Sequence, residues 1–118
     1  IEQEVSTLPP KPISFTAVDL HKKFEQNKIA AESELVGVTI EVSGKIDSID
    51  SSLWGGDYYV KLASDSWGLY GVYCYFDDEN VGELASLKAG QKIVIRGVCS
   101  GSTSITNDPE LQDCEIVK

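Results

Sequence analysis

Apolar residues alternate with polar ones at Val38, Ile40 and Val42, pass through Gly44 and resume at Ile46. A period of two marks a half-buried β-strand. The next apolar residue is Ile49 rather than position 48, so the pattern slips by one between Ile46 and Ile49. With Gly44 just upstream, the slip predicts a bend that lets one strand serve two sides of a sheet.

The same period recurs downstream. Residues 58 to 63 set Tyr58, Val60 and Leu62 on one face against Tyr59, Lys61 and Ala63 on the other. Residues 69 to 76 set Val72, Cys74 and Phe76 against Tyr73 and Tyr75, which predicts a hairpin carrying tyrosines on both faces. Ser51 to Asp57 and Ser64 to Gly68 supply the turns, rich in Gly and Ser. Residues 91 to 99 and 111 to 117 complete the strands, joined by a polar loop over 100 to 109.

Two segments read as helical. Thr16-x-x-Asp19 resembles a capping box, and Ala17, Val18, Leu20, Phe24 and Ala31 make an apolar stripe for a helix over about 16 to 32. His21 falls on that helix and is expected to be a solvent-facing or edge residue rather than a ligand, with no second ligand in register. A shorter helix over about 79 to 88 would bury Val81, Leu84 and Leu87 and stop at Gly90. Ahead of it, Asp77-Asp-Glu-Asn80 lacks a calcium-loop pattern, while Asp77 or Asp78 suits an N-cap. Residues 1 to 12, with Pro9, Pro10 and Pro12, read as an extended tether ahead of a single domain over 13 to 118.

Three strands, a short helix and two more strands is the order of the OB-fold, a five-stranded Greek-key barrel whose first strand pairs on both sides. The fold class is therefore all-β with minor helix, plus an extra N-terminal helix. An immunoglobulin-like sandwich needs about seven strands and does not place a helix there.

Charge narrows the function. Ten basic residues against nineteen acidic ones leave a net charge of −9, which opposes polyanion binding, since phosphate affinity comes largely from Lys and Arg releasing counterions. The chain contains no methionine, position 1 included, so a segment upstream of Ile1 is expected. No run of 18 apolar residues marks a membrane span. Cys74, Cys99 and Cys114 fit no zinc spacing, and neither a metal nor another cofactor is expected. A lone histidine and dispersed carboxylates place no nucleophile beside a base, so no catalytic residues are assigned and the chain reads as a non-enzyme.

Several segments together resemble the tRNA-anti-like OB-fold proteins, a family that includes bacterial lipoproteins proposed to bind nucleic acid. The resemblance covers about residues 16 to 117. It is carried by Leu20-x-x-x-Phe24-x-x-Asn27-x-x-Ala30-Ala31, Val42-Ser-Gly44-Lys-Ile46, Val72-Tyr-Cys74-Tyr-Phe76, Leu87-Lys-Ala-Gly90-Gln91, Ile95-Arg-Gly97, Cys99-Ser-Gly101 and Leu111-x-x-Cys114-x-Ile116. It implies an exported domain of the bacterial periplasm or cell envelope, lipid-anchored through a cysteine upstream of Ile1, with nucleic acid as ligand.

The candidate ligand-binding face holds Tyr59, Lys61, Tyr73 and Tyr75, flanked by Trp54 and Trp67 in loops, with Arg96 as a further contact. OB-folds stack bases or sugars on aromatics in this region. The same tyrosines can instead pair across the hairpin to shield the sheet. One reading is single-stranded nucleic acid on these residues. The other is an envelope module for a protein, glycan or small cationic ligand, favoured if carboxylates gather beside the tyrosines. In an OB barrel the last strand lies between the third and fourth, so Cys114 neighbours Cys74 or Cys99. A Cys99–Cys114 bridge would be stabilising by roughly 3 kcal/mol in the chain-entropy model, leaving Cys74 as a buried thiol.

Overall fold

The computed structural model describes residues 12–51, 57–65, 69–103 and 106–117. All but Pro12 of the expected tether, and both tryptophans, Trp54 and Trp67, lie outside them. The chain runs β1 (Ile13–Thr16), α1 (Ala17–Gln26), α2 (Lys28–Leu35), β2 (Thr39–Ser51), β3 (Tyr58–Ala63), β4 (Gly71–Phe76), a 3₁₀ turn (Asp78–Asn80), α3 (Val81–Ala85), β5 (Lys92–Ser102) and β6 (Pro109–Ile116).

The strand order β1-β2-β3-β4-β6-β5 closes through β2 pairing with β5, so β2 to β6 form a five-stranded barrel. This is the OB-fold read from the sequence, with β6 between β4 and β5 and the short helix between β4 and β5. Thr39 to Lys45 of β2 pair with β5, and Ile46 to Ser51 pair with β3. Ile46 opposes Leu62 while Ser48 opposes Lys61, which makes Asp47 the extra residue of a bulge. One extra residue flips the alternation, which is why inward-facing Ile46 is followed by Ile49 rather than by position 48.

Gly44 stands two residues before β2 changes partner at Ile46, and it has a packing role as well. A Cβ there would sit 3.1 Å from Ala17 Cβ, so the glycine lets α1 close onto the barrel. β1, which was not expected, runs parallel to β2 from Ile13 opposite Ile40 to Thr16 opposite Ser43.

The single N-terminal helix expected over 16 to 32 is two helices. Thr16 caps α1 as read, its Oγ1 accepting from the Asp19 N–H at 3.1 Å. The helix stops at Asn27, whose extended backbone (φ −163°, ψ 93°) interrupts the ladder while its Oδ1 accepts from the Ala30 N–H and caps α2. Asparagine suits this break because its side chain competes for backbone donors. The second predicted helix shrinks to the 3₁₀ turn and α3. Asp77 caps it through the Glu79 N–H at 3.0 Å, Leu84 is buried, and Val81 faces outward instead.

The core gathers Leu20, Phe24, Ile40, Val42, Ile46, Val60, Leu62, Val72, Cys74, Phe76, Ile95 and Leu111, with Ala31 and Leu35 bringing in α2. Residues 17, 20, 21 and 24 form the buried stripe of α1, the i, i+3, i+4, i+7 spacing of one helix face. Val18, expected on that stripe, is 52% exposed.

Candidate functional site

Alternation along the hairpin places Tyr59 and Lys61 of β3 on the same outward face as Tyr73 and Tyr75 of β4. Tyr59 opposes Tyr75 and Lys61 opposes Tyr73 in the ladder, and directly opposed residues share a face. The Tyr59 ring centroid lies 5.5 Å from Tyr73 and 6.0 Å from Tyr75, at 56° to each. These tilted contacts suit the aromatic quadrupole. They are the cross-hairpin pairing expected of tyrosines that shield a sheet, and Tyr59 is coplanar with neither partner.

Lys61 is only 8% exposed. Its stem lies against the sheet, its Nζ stands 5.8 Å from the Tyr73 centroid, and Asp47 Oδ2 approaches that nitrogen at 3.4 Å. The Tyr75 hydroxyl donates to Glu110 Oε2 at 3.4 Å, from β6 alongside β4. Burial, then the charge of Glu110 and the hydrogen bond to it, push Tyr75 up to about 12. Burial also raises Tyr73, against the pull of Lys61 and with help from Asp108. Glu110 is raised by burial, opposed by the Tyr75 hydrogen bond.

The face therefore combines three half-buried tyrosines and one tucked lysine with the carboxylates of Asp47, Glu110 and Asp108. Glu110 was legible in principle, because placing the last strand beside β4 brings it opposite Tyr73. Asp47 depended on the bulge, which points an otherwise ambiguous residue at Lys61.

Beneath this side of the barrel lies a group the sequence reading placed wrongly. His21 is 5% exposed, and its Nε2 lies 2.9 Å from Oδ1 of Asp108, itself 2% exposed. The imidazole stacks on Tyr70 at 5.3 Å and 29°, and Glu25 Oε1 lies 3.9 Å from Nδ1. Asp108 is held in turn by the Thr103 hydroxyl, which accepts from its N–H at 3.2 Å. The pair ties α1 to the β5–β6 loop. The signal was the position of His21 on the buried stripe, four residues after Ala17.

Arg96 is not brought to the tyrosines. Its Nε and Nη2 donate to Glu41 Oε2 at 3.0 and 2.8 Å, and Glu115 stands 3.6 Å from Nη1, so cross-strand carboxylates of β2 and β6 hold it. The Cys99–Cys114 bridge is not what the register brings together. All three thiols are free. A shift in the β5–β6 ladder sets Cys99 opposite Leu111, while Cys114 Sγ would lie 2.6 Å from a Cβ at Gly97. Cys114 instead meets Cys74, whose thiol is raised well above its ordinary value by their hydrogen bond and by burial. Among the described residues, no three His, Cys, Asp or Glu side chains gather as metal ligands.

The fold recurs in solved structures. A lipoprotein of Klebsiella pneumoniae subsp. pneumoniae MGH 78578, whose name proposes nucleic-acid binding, is 21% identical, with a TM-score of 0.73 over 91% of this chain and 92% of that one. An OBody bound to hen egg-white lysozyme is 23% identical, with a TM-score of 0.54 over 72% of this chain and 86% of that one. RecG bound to a three-way DNA junction is 18% identical, with a TM-score of 0.56 over 91% of this chain but only 13% of its own. No curated protein matches the chain. The model of the tRNA_anti-like family matches residues 2–116, nearly the whole sequence, and the chain belongs to that family.

Proposed function

We propose that this chain is a non-catalytic binding module of the bacterial cell envelope, holding single-stranded nucleic acid across the hairpin face of Tyr59, Tyr73 and Tyr75. The observation that carries this reading is the tyrosine cluster itself, on the strands where OB-folds stack bases. The family, and the binding named for the Klebsiella lipoprotein, support it. That protein's being a lipoprotein supports an exported domain anchored through lipid upstream of Ile1. Lys61 is the cation on this face, and its present contacts, the one to Asp47 among them, must yield to a phosphate.

Fluorescence anisotropy of a labelled single-stranded oligonucleotide tests this reading. Binding at tens of micromolar in low salt, falling steeply as salt is added, is expected. Tyr59→Ala or Tyr73→Ala should weaken it by roughly 1–3 kcal/mol per stacked base. No binding under those conditions ends the nucleic-acid reading.

One observation favours a second reading, a protein, glycan or small cationic ligand. Asp47, Asp108 and Glu110 all bear on the tyrosines, and the chain carries a net charge of −9. OB-fold scaffolds bound to lysozyme give this fold a precedent for holding a protein. A pull-down from envelope extract that recovers a partner from the wild type but not from Tyr59→Ala supports it.

A further inference from the structure

A cleft of about 760 Å³ opens between the start of α1, the middle of β2, the start of β5 and the C-terminal end of the chain. Its walls include Val18, Leu87, Ile93, Val94, Ile116 and Val117. That volume falls within the roughly 300–1,000 Å³ typical of small-molecule sites, which are mostly apolar with a few polar groups for orientation.

The polar groups here are Lys45 and Lys92. They are register partners in the β2–β5 ladder, so two exposed ammonium side chains stand next to each other on one face. Neither is ion-paired among the described residues, whereas Lys23, Lys61 and Arg96 each meet a carboxylate. In a chain with nineteen acidic residues, this is a local concentration of positive charge against the overall sign. Like charges placed opposite one another destabilise a strand pair, and an anion between them reverses that term.

The adjoining surface adds direction. A second cleft of about 550 Å³ shares Val18, Lys45 and Ala63 with the first and carries Asp47 and Asp65. Those carboxylates repel an anionic head from that side and leave the Lys45–Lys92 edge for it.

We propose that the 760 Å³ cleft binds a monomeric fatty acid of about ten carbons or more, with its acyl chain along Ile93, Val94, Ile116 and Val117 and its carboxylate head between Lys45 and Lys92. This site is separate from the tyrosine face and does not depend on what that face binds. Each buried CH₂ adds to affinity, so binding strengthens with chain length until the cleft is filled.

Decanoate, titrated below its micellar range into ¹⁵N-labelled full chain, tests it. Saturable amide shifts at Ile93, Val94, Ile116 and Val117 are expected. In a Lys45→Gln/Lys92→Gln variant decanoate affinity should fall about tenfold, as loss of charged hydrogen bonds implies, while decanol binds both proteins alike. Both lysines are exposed, and circular dichroism checks that the variant keeps its fold. The proposal is overturned if decanoate leaves the cleft unperturbed, if its shifts map only to the tyrosine face, or if the variant binds it as the wild type does.

Discussion

Two lysines on neighbouring strands of this barrel meet opposite circumstances. Lys61, on the tyrosine face, is nearly buried, stands over Tyr73 and is paired with Asp47. Lys45, on β2, is exposed, has Lys92 as its cross-strand neighbour and has no carboxylate partner among the described residues. On the hairpin, the side chains already answer one another, so a ligand must displace internal contacts. At the cleft, an anion supplies a partner that the described residues do not. Specificity on the first surface therefore depends on exchange, and on the second on simple complementarity.

Substitutions can break this comparison, starting beneath the tyrosine face. Asp108→Ala strips His21 of its buried partner and should lower unfolding free energy by about 3 kcal/mol in urea denaturation, the scale for leaving a buried polar group unmade. Nothing similar is expected from any single change at the cleft rim. Lys61→Ala should cost roughly 1–2 kcal/mol, chiefly through the packing of its stem. If its loss is neutral, the two lysines are equivalent and the contrast fails.

Alkaline titration sharpens the same point. Tyr75 is raised from 10.0 to about 12 in the folded chain. Between those values the unfolded tyrosine releases its proton while the folded one retains it, so the stability contributed by Tyr75 is full below pH 10 and is lost as pH rises toward 12. Absorbance at tyrosinate wavelengths should show Tyr73 and Tyr75 ionising late, and Glu110→Gln should bring the Tyr75 ionisation down. The smallest effect belongs to the cleft. Lys92→Ala should change stability by no more than about 0.5 kcal/mol, in the stabilising direction, because it removes a like-charge neighbour.

Much of the barrel was readable from periodicity because it depends on local alternation. Tyr58 to Ala63 appears as predicted, and the slip between Ile46 and Ile49 marks a real bulge. What escaped depended on distant partners. The helix break at Asn27 turns on one side chain capping a new turn, and an apolar stripe running past it gives no warning. His21 lies 87 positions from Asp108, so its partner could not be seen in any window, although its own place on the buried stripe could. Arg96 looked available because Glu41 and Glu115 reach it only once β5 lies between β2 and β6. Cysteine pairing escaped for a related reason, since the ladder shift between Arg96 and Val98 sets Cys114 across from Gly97, away from Cys99 and against Cys74. Of the candidate face, the tyrosines followed from alternation, while the carboxylates around them required strand order.

The bulge at Asp47 has one more consequence. The residue that curves β2 into a closed barrel is also the residue that neutralises Lys61. Curvature and ligand charge preference are thus written at a single position, the first by the presence of the residue and the second by its carboxylate. A chain that straightened this strand by deleting Asp47 would lose the barrel's bend and a carboxylate partner of Lys61 in the same step. Redesign of the tyrosine face toward phosphate has a natural first move in Asp47→Asn, which keeps the extra residue and its shape while removing the negative charge beside the lysine.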